Sequence, residues 1–137
     1  MTLRESRGHS YLALNLSFIS VIFLIFLYSL IFSADKNNYP IPSFYSRFTG
    51  KESPTTGLSK SFSEIIRGRW NSGRKWNMNG IPLFSFFLIQ LFFRLAGSVL
   101  ILKTKVSVSI LARIDGLLSF LLFLYCFRHL IAFWQYF

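Results

Sequence analysis

The sequence predicts an all-α integral membrane protein with three transmembrane helices and a short amphipathic interfacial helix between the first and second. Three observations carry this. Of the 137 residues, 53% are hydrophobic and 19% aromatic, with 17 Phe and a mean hydropathy of +0.47, too apolar for an ordinary soluble domain. The apolar residues gather at 11–33, 81–102 and 106–137, each block longer than the roughly 20 residues a spanning helix needs. The charged residues lie mainly between these blocks.

Residues 1–10 form an N-terminal tail carrying Arg4 and Arg7, and the first span follows as "YLALNLSFISVIFLIFLYSLIFS", 11–33. A secretory signal peptide shares the charged start, but its apolar region is only about 7–15 residues and ends at a small-x-small site. Here the run is longer, and Phe32 takes the place of a small residue for a cut after Ala34. An uncleaved helix is expected.

Residues 34–80 form a polar connection with eight basic and three acidic residues. Pro40, Pro42 and Pro54 make 34–58 an irregular loop with a turn motif. Over 59–76, Phe62, Ile65, Ile66 and Trp70 recur at helical spacing, and Ser61 and Glu64 have the spacing of a capping box. Lys60, Arg67, Arg69, Arg74 and Lys75 supply the polar side. This predicts a basic amphipathic helix at the lipid headgroups, anchored by Trp70 and Trp76. A solvated loop is the alternative, because Gly68 and Gly73 each weaken a helix by about 1 kcal/mol.

The second span, 81–102, has Pro82 in its first turn, where the missing N–H costs nothing. "KTK", 103–105, is the turn, and 106–137 is the third span. At about 1.5 Å per residue that span reaches roughly 48 Å, more than a hydrocarbon core of about 30 Å, so it tilts, kinks or extends into the headgroups. Trp134 and Tyr136 are its far-side anchors.

Arg94 lies in the middle of the second span, where insertion costs about 2.5–3.5 kcal/mol and demands a partner. In a hairpin about 103–105, Arg94 precedes the turn by nine residues and Asp115 follows it by ten, so both lie about 14 Å deep. Asp115 is the only acid in any apolar block. An Arg94–Asp115 ion pair is expected. It can lock helix register or serve a proton or ion relay, and a single carboxylate favours the first. Gln90 extends the polar contact, while Gly97 and Gly116 allow close backbone approach. Arg113 points to another face, to snorkel or meet a partner subunit, and Arg128 and His129 snorkel toward the far side.

Chemistry-bearing motifs are missing. The sequence has no G-x-S-x-G, H-E-x-x-H, phosphate loop or carboxylate pair. Cys126 is the one cysteine, which excludes an internal disulfide or a cysteine-based metal site, and His9 with His129 is too thin a set for a metal. No catalytic residue, metal or cofactor is therefore expected. The net charge of +10 suits anionic lipid headgroups between spans, not nucleic acid.

The segment "FTGKESPTTGLSKSFSEIIRGRWNSGRKWNMNGIPL" resembles domain-of-unknown-function family 2752, small bacterial membrane proteins with a T-G-x-x-C-P-x-C-G-[LM]-[TS]-[RK] signature. The matching residues are Thr49, Gly50, Pro54, Gly57, Leu58, Ser59, Lys60, Ser61 and Phe62, then Gly68, then Asn77 or Asn79 before Pro82. The likeness covers about 48–102. Ser53 and Thr56 replace both signature cysteines, and hydroxyls do not replace thiolates as soft metal ligands or redox groups. The resemblance thus implies a shared shape, with Pro54 and Gly57 forming the turn and Ser53, Thr55, Thr56 or Ser59 capping the next helix, and not a shared dithiol or metal chemistry.

Lys/Arg counting puts eight residues in 34–80 against Arg4, Arg7, Lys103 and Lys105 on the other side, which places the 34–80 loop in the cytoplasm; Arg4 and Arg7 beside the first helix argue the reverse. The resemblance implies a bacterial inner membrane. Three functions are compatible: an accessory or structural subunit contacting lipids and larger membrane proteins, a small transporter or channel component using the Arg/Asp pair, or, least supported, an enzyme borrowing its active site from another chain.

Overall fold

A computed structural model describes the backbone of residues 3–32 and 55–134 and the side chains of 6–32 and 55–132. All described secondary structure is helical. In order the helices are α1 (Leu3–Ile31), α2 (Leu58–Ile66), α3 (Trp70–Trp76), α4 (Gly80–Lys103) and α5 (Val108–Trp134). Three of them are long and apolar enough to cross a membrane, over Ser6–Ile31, Gly80–Lys103 and Val108–Ala132. The first begins inside the expected tail, because Arg4, Glu5 and Arg7 continue the helix readily and Ser10 Oγ donates back to the Ser6 carbonyl. The third is described from Val108 to Trp134, about 40 Å, and the turn runs through 104–107 rather than 103–105.

The expected single helix over 59–76 is two helices. After Ile66 the amide of Gly68 donates to the Ile65 carbonyl and that of Arg69 to the Glu64 carbonyl, with Gly68 at φ 79°. That pair of bonds with a left-handed glycine closes a helix. Nor does the capping box form. Gly57, at φ 77°, occupies the N-cap and has no side chain with which to cap the helix. Ser61 Oγ instead donates to the Gly73 carbonyl of α3 at 2.7 Å.

The chain divides into two compact units. The first comprises residues 1–24 and 86–125. Within it α4 and α5 run antiparallel: Phe86 meets Phe123, Gln90 meets Ser119, and Arg94 meets Asp115, one number falling as the other rises. The buried positions of α1 in this unit, Gly8, Tyr11, Asn15 and Ile22, fall at steps of three, four and seven. This spacing keeps one stripe of the helix turned inward.

The second unit comprises residues 25–85 and 126–137. Its core holds Phe62, Ile65, Leu83 and Phe84, with Phe84 edge-on to Phe62 and to Trp70 and tilted against Phe26. Glycine makes the close packing possible. A Cβ on Gly80 would lie 1.8 Å from Ser61 Oγ, and one on Gly73 would lie 2.6 Å from Ile65 Cγ1.

Candidate functional site

The first unit buries a polar cluster contributed by three helices. Arg94 Nη1 donates to Asp115 Oδ2 at 2.5 Å and to Asn15 Oδ1 at 3.2 Å. Arg94 Nη2 donates to Gln90 Oε1 at 3.1 Å and to Ser119 Oγ at 2.8 Å. Tyr11 Oη donates to the same Asp115 oxygen at 3.0 Å, and Ser119 Oγ to Gln90 Oε1 at 3.2 Å. Asn15 Nδ2 closes the circuit on the Arg94 carbonyl and Ser98 Oγ. Tyr11, Asn15, Gln90, Arg94 and Asp115 are each at most 9% exposed.

These bonds explain how a guanidinium survives in an apolar layer. Its charge is matched by one carboxylate at contact distance, and its two terminal nitrogens each have two acceptors. The Phe18 ring covers it, 5.1 Å from the guanidinium carbon. Arg94 Nε and Gln90 Nε2 are buried without a bonding partner. The cluster is electrically neutral and internally bonded. Such an arrangement holds three helices in one register, since a slip of one residue would strand a buried charge.

The structure thus brings Arg94, Asp115 and Gln90 together. Gly97 also belongs to the cluster, but through α1: a Cβ there would lie 2.6 Å from Tyr11 Oη. Gly116 does not. It is exposed with nothing within 4 Å of a Cβ, because the face of α5 that meets α4 carries Asp115 and Ser119 and the next residue after Asp115 turns away. Tyr11, Asn15, Ser98 and Ser119 went unrecognised in the sequence. The available signal was spacing: Tyr11/Asn15, Gln90/Arg94/Ser98 and Asp115/Ser119 each repeat polar residues at i, i+4 within an apolar run.

The second unit uses its charges differently. Arg67, expected on the exposed polar side, is half-buried and faces the end of α1. Its Nη1 donates to the Ser29 carbonyl at 3.1 Å and its Nη2 to the Leu30 carbonyl at 2.5 Å. Ser63 Oγ bonds Arg67 Nη1 and donates to the Phe32 carbonyl at 2.7 Å. Those carbonyls lie at the helix end, where no further turn can bond them, and a cation there also suits the helix dipole. The buried Glu64 grips Arg69 through both carboxylate oxygens, at 2.7 and 2.6 Å. The Arg69 bond holds the Glu64 carboxyl below its ordinary range.

The expected interface residues divide accordingly. Arg74 and Lys75 are exposed in the last turn of α3, Trp70 and Trp76 are nearly half-exposed, and Lys60 sits over the Trp76 ring at 4.4 Å. Of the turn motif, Thr49, Gly50, Ser53 and Pro54 lie outside the described residues. Thr56 and Gly57 are clipped to the end of α3: Asn77 Nδ2 donates to the Thr56 carbonyl at 2.9 Å, and a Cβ on Gly57 would lie 2.6 Å from the Trp76 oxygen. Asn77 Oδ1 accepts the Asn79 amide at 2.8 Å, shaping the entry to α4. The Trp134 side chain and Tyr136 lie outside the described residues.

Among the described residues no group of three or more His, Cys, Asp or Glu side chains is placed to hold a metal. No protein-family model, curated protein or solved structure matches this chain.

Proposed function

We propose that this chain is a non-enzymatic membrane protein that packs as an accessory or structural subunit against larger membrane proteins. The observation that carries the reading is the outer face of α5: the span is little buried within the chain, and the exposed Arg113 lies on one side of the helix with exposed Leu117, Phe120, Leu121 and Leu124. A surface that is both apolar and punctuated by a cation suits a protein partner better than lipid tails alone. The internally bonded Arg94–Asp115 cluster fits the same reading, because it gives the subunit a fixed shape. The likeness to family 2752, and with it a bacterial inner membrane, adds support only at the level of a shared turn, since Thr56 supplies no thiolate.

The test is a photo-crosslinking amino acid at Leu121, followed by mild-detergent purification from native membranes. One membrane protein crosslinked in fixed stoichiometry is expected. Recovery of the uncrosslinked chain as a stable monomer sinks the proposal.

A second reading, a small transporter or channel component, draws on Asp115 and Tyr11 lining an open groove. Two variants separate the readings: removing both charges in Arg94→Met/Asp115→Leu abolishes flux with assembly intact in a transport component, whereas a structural pair shows its loss in assembly and stability in Asp115→Ala, which strands the guanidinium.

A further inference from the structure

The groove in the first unit has a volume of about 190 Å³ and an almost wholly apolar lining. Leu100 and Leu111 stand at its end near the 104–107 turn, Tyr11 and Asp115 line its polar part, and Phe93 with Leu118 lie at the opposite end. From Leu100 to Phe93 the α4 wall runs about 10 Å along the helix axis. A partner helix, about 10 Å across with its side chains, would lodge little more than one or two side chains there. The headgroup-proximal part of a single hydrocarbon chain is slender enough to lie along it.

Cations gather at the turn end. Lys103 is one helical turn beyond Leu100, and Lys105 follows it in the loop. Arg7 lies one turn before Tyr11 on the same face of α1, and its Nη1 donates to Ser109 Oγ at 3.2 Å, beside the start of α5. All three are exposed. Among the described side chains of this unit Asp115 is the sole acid, and it is already held by Arg94 and Tyr11. The turn end therefore offers positive charge at the depth where a spanning helix meets the headgroups, above an apolar slot that continues into the hydrocarbon layer.

We propose that this groove binds one anionic phospholipid, its phosphate-bearing headgroup held by Arg7, Lys103 and Lys105 and one acyl chain lying between Leu100/Leu111 and Phe93/Leu118. The site depends on the three-span membrane reading and is independent of the subunit reading, because it lies within one chain.

The experiment is native mass spectrometry of the purified chain, titrated in mild detergent with phosphatidylglycerol or with phosphatidylcholine of matched tails. One phosphatidylglycerol adduct in clear preference to phosphatidylcholine is expected. Arg7→Gln/Lys103→Gln/Lys105→Gln should weaken that adduct roughly a hundredfold. Ala96→Phe, which fills the groove wall, should remove it, whereas Leu117→Phe, outside the groove, should keep it. Equal binding of the two lipids, no adduct at all, occupancy unchanged by the triple variant, or a dimer in place of the lipid adduct overturns the proposal. Where Ala96→Phe loses helical circular dichroism, Phe93→Trp supplies a second measurement in nanodiscs. Its added fluorescence should be quenched more by bromo-acyl phosphatidylglycerol than by bromo-acyl phosphatidylcholine, and equal quenching overturns the proposal.

Discussion

Arg94 in the first unit and Arg67 in the second are the same residue type meeting buried polarity in two ways. Arg94 bonds side chains of three helices, and its charge is neutralised at 2.5 Å by Asp115. Arg67 bonds mainly backbone, donating to the carbonyls of Ser29, Leu30 and Ser63. The contrast follows from what each place lacks. Mid-helix carbonyls are already bonded within the helix, so a guanidinium there must find side-chain acceptors and an opposite charge. At a helix end the carbonyls are unpaired and carry partial negative charge, so a cation is accommodated without an acid. One arginine specifies helix register and the other terminates a helix.

This difference breaks most visibly when one partner is removed. Asp115→Ala should destabilise the protein by about 3–5 kcal/mol, because it leaves a buried guanidinium uncompensated. Unfolding in mixed detergent micelles measures it, and Arg94→Met/Asp115→Leu should recover most of the loss. A double variant as unstable as the single one would contradict the ion-pair account.

Arg67→Ala should cost less, about 1.5–3 kcal/mol, since it removes charge-assisted bonds but strands no opposite charge. The effect should be local: amide protection falls in the last turn of α1, near Tyr28–Phe32, and stays unchanged at Asn15. Equal loss at both places would mean that Arg67 is not an end cap.

Two glycines sharpen the comparison further. Gly80→Ala forces a Cβ against Ser61 Oγ and should cost about 1–3 kcal/mol through overpacking. Gly116→Ala meets nothing and should stabilise by about 0.4–1 kcal/mol by restricting the unfolded chain. Thermal unfolding of the two variants should shift in opposite directions.

The smallest effect concerns Glu64. Its folded-state acidity is shifted to lower pH by the Arg69 bond, so its contribution is complete above the ordinary glutamate range. That contribution disappears as pH falls through the lowered folded value, where the carboxyl takes up a proton. Arg69 is about half exposed, which weakens the pair by screening. Amide exchange in α2 and α3 should rise on acidification in the wild type and show little added dependence in Glu64→Gln.

Much of the architecture was legible because burial in a membrane is a matter of composition and length. Three apolar blocks of more than about 20 residues have no soluble alternative, and a lone mid-span arginine with a lone mid-span acid at matched distance from a turn points to a pair. The α2–α3 region was less legible. Its periodicity continues from Phe62 to Trp70, yet Gly68 adopts φ 79°, and periodicity reports the faces of a helix without reporting its continuity.

What the sequence by itself determined is therefore the number of apolar spans and the charge that one of them must neutralise, since both follow from the cost of transferring groups out of water. Only tertiary structure decided that Asn15 and Tyr11 complete the circuit around Arg94, that Gly97 faces α1 while Gly116 faces outward, and that Arg67 turns inward to cap α1. Those outcomes depend on which residues of different helices arrive at the same place, and hydrogen bonds act only over about 3 Å. No count of charges or apolar residues along a single chain specifies that meeting.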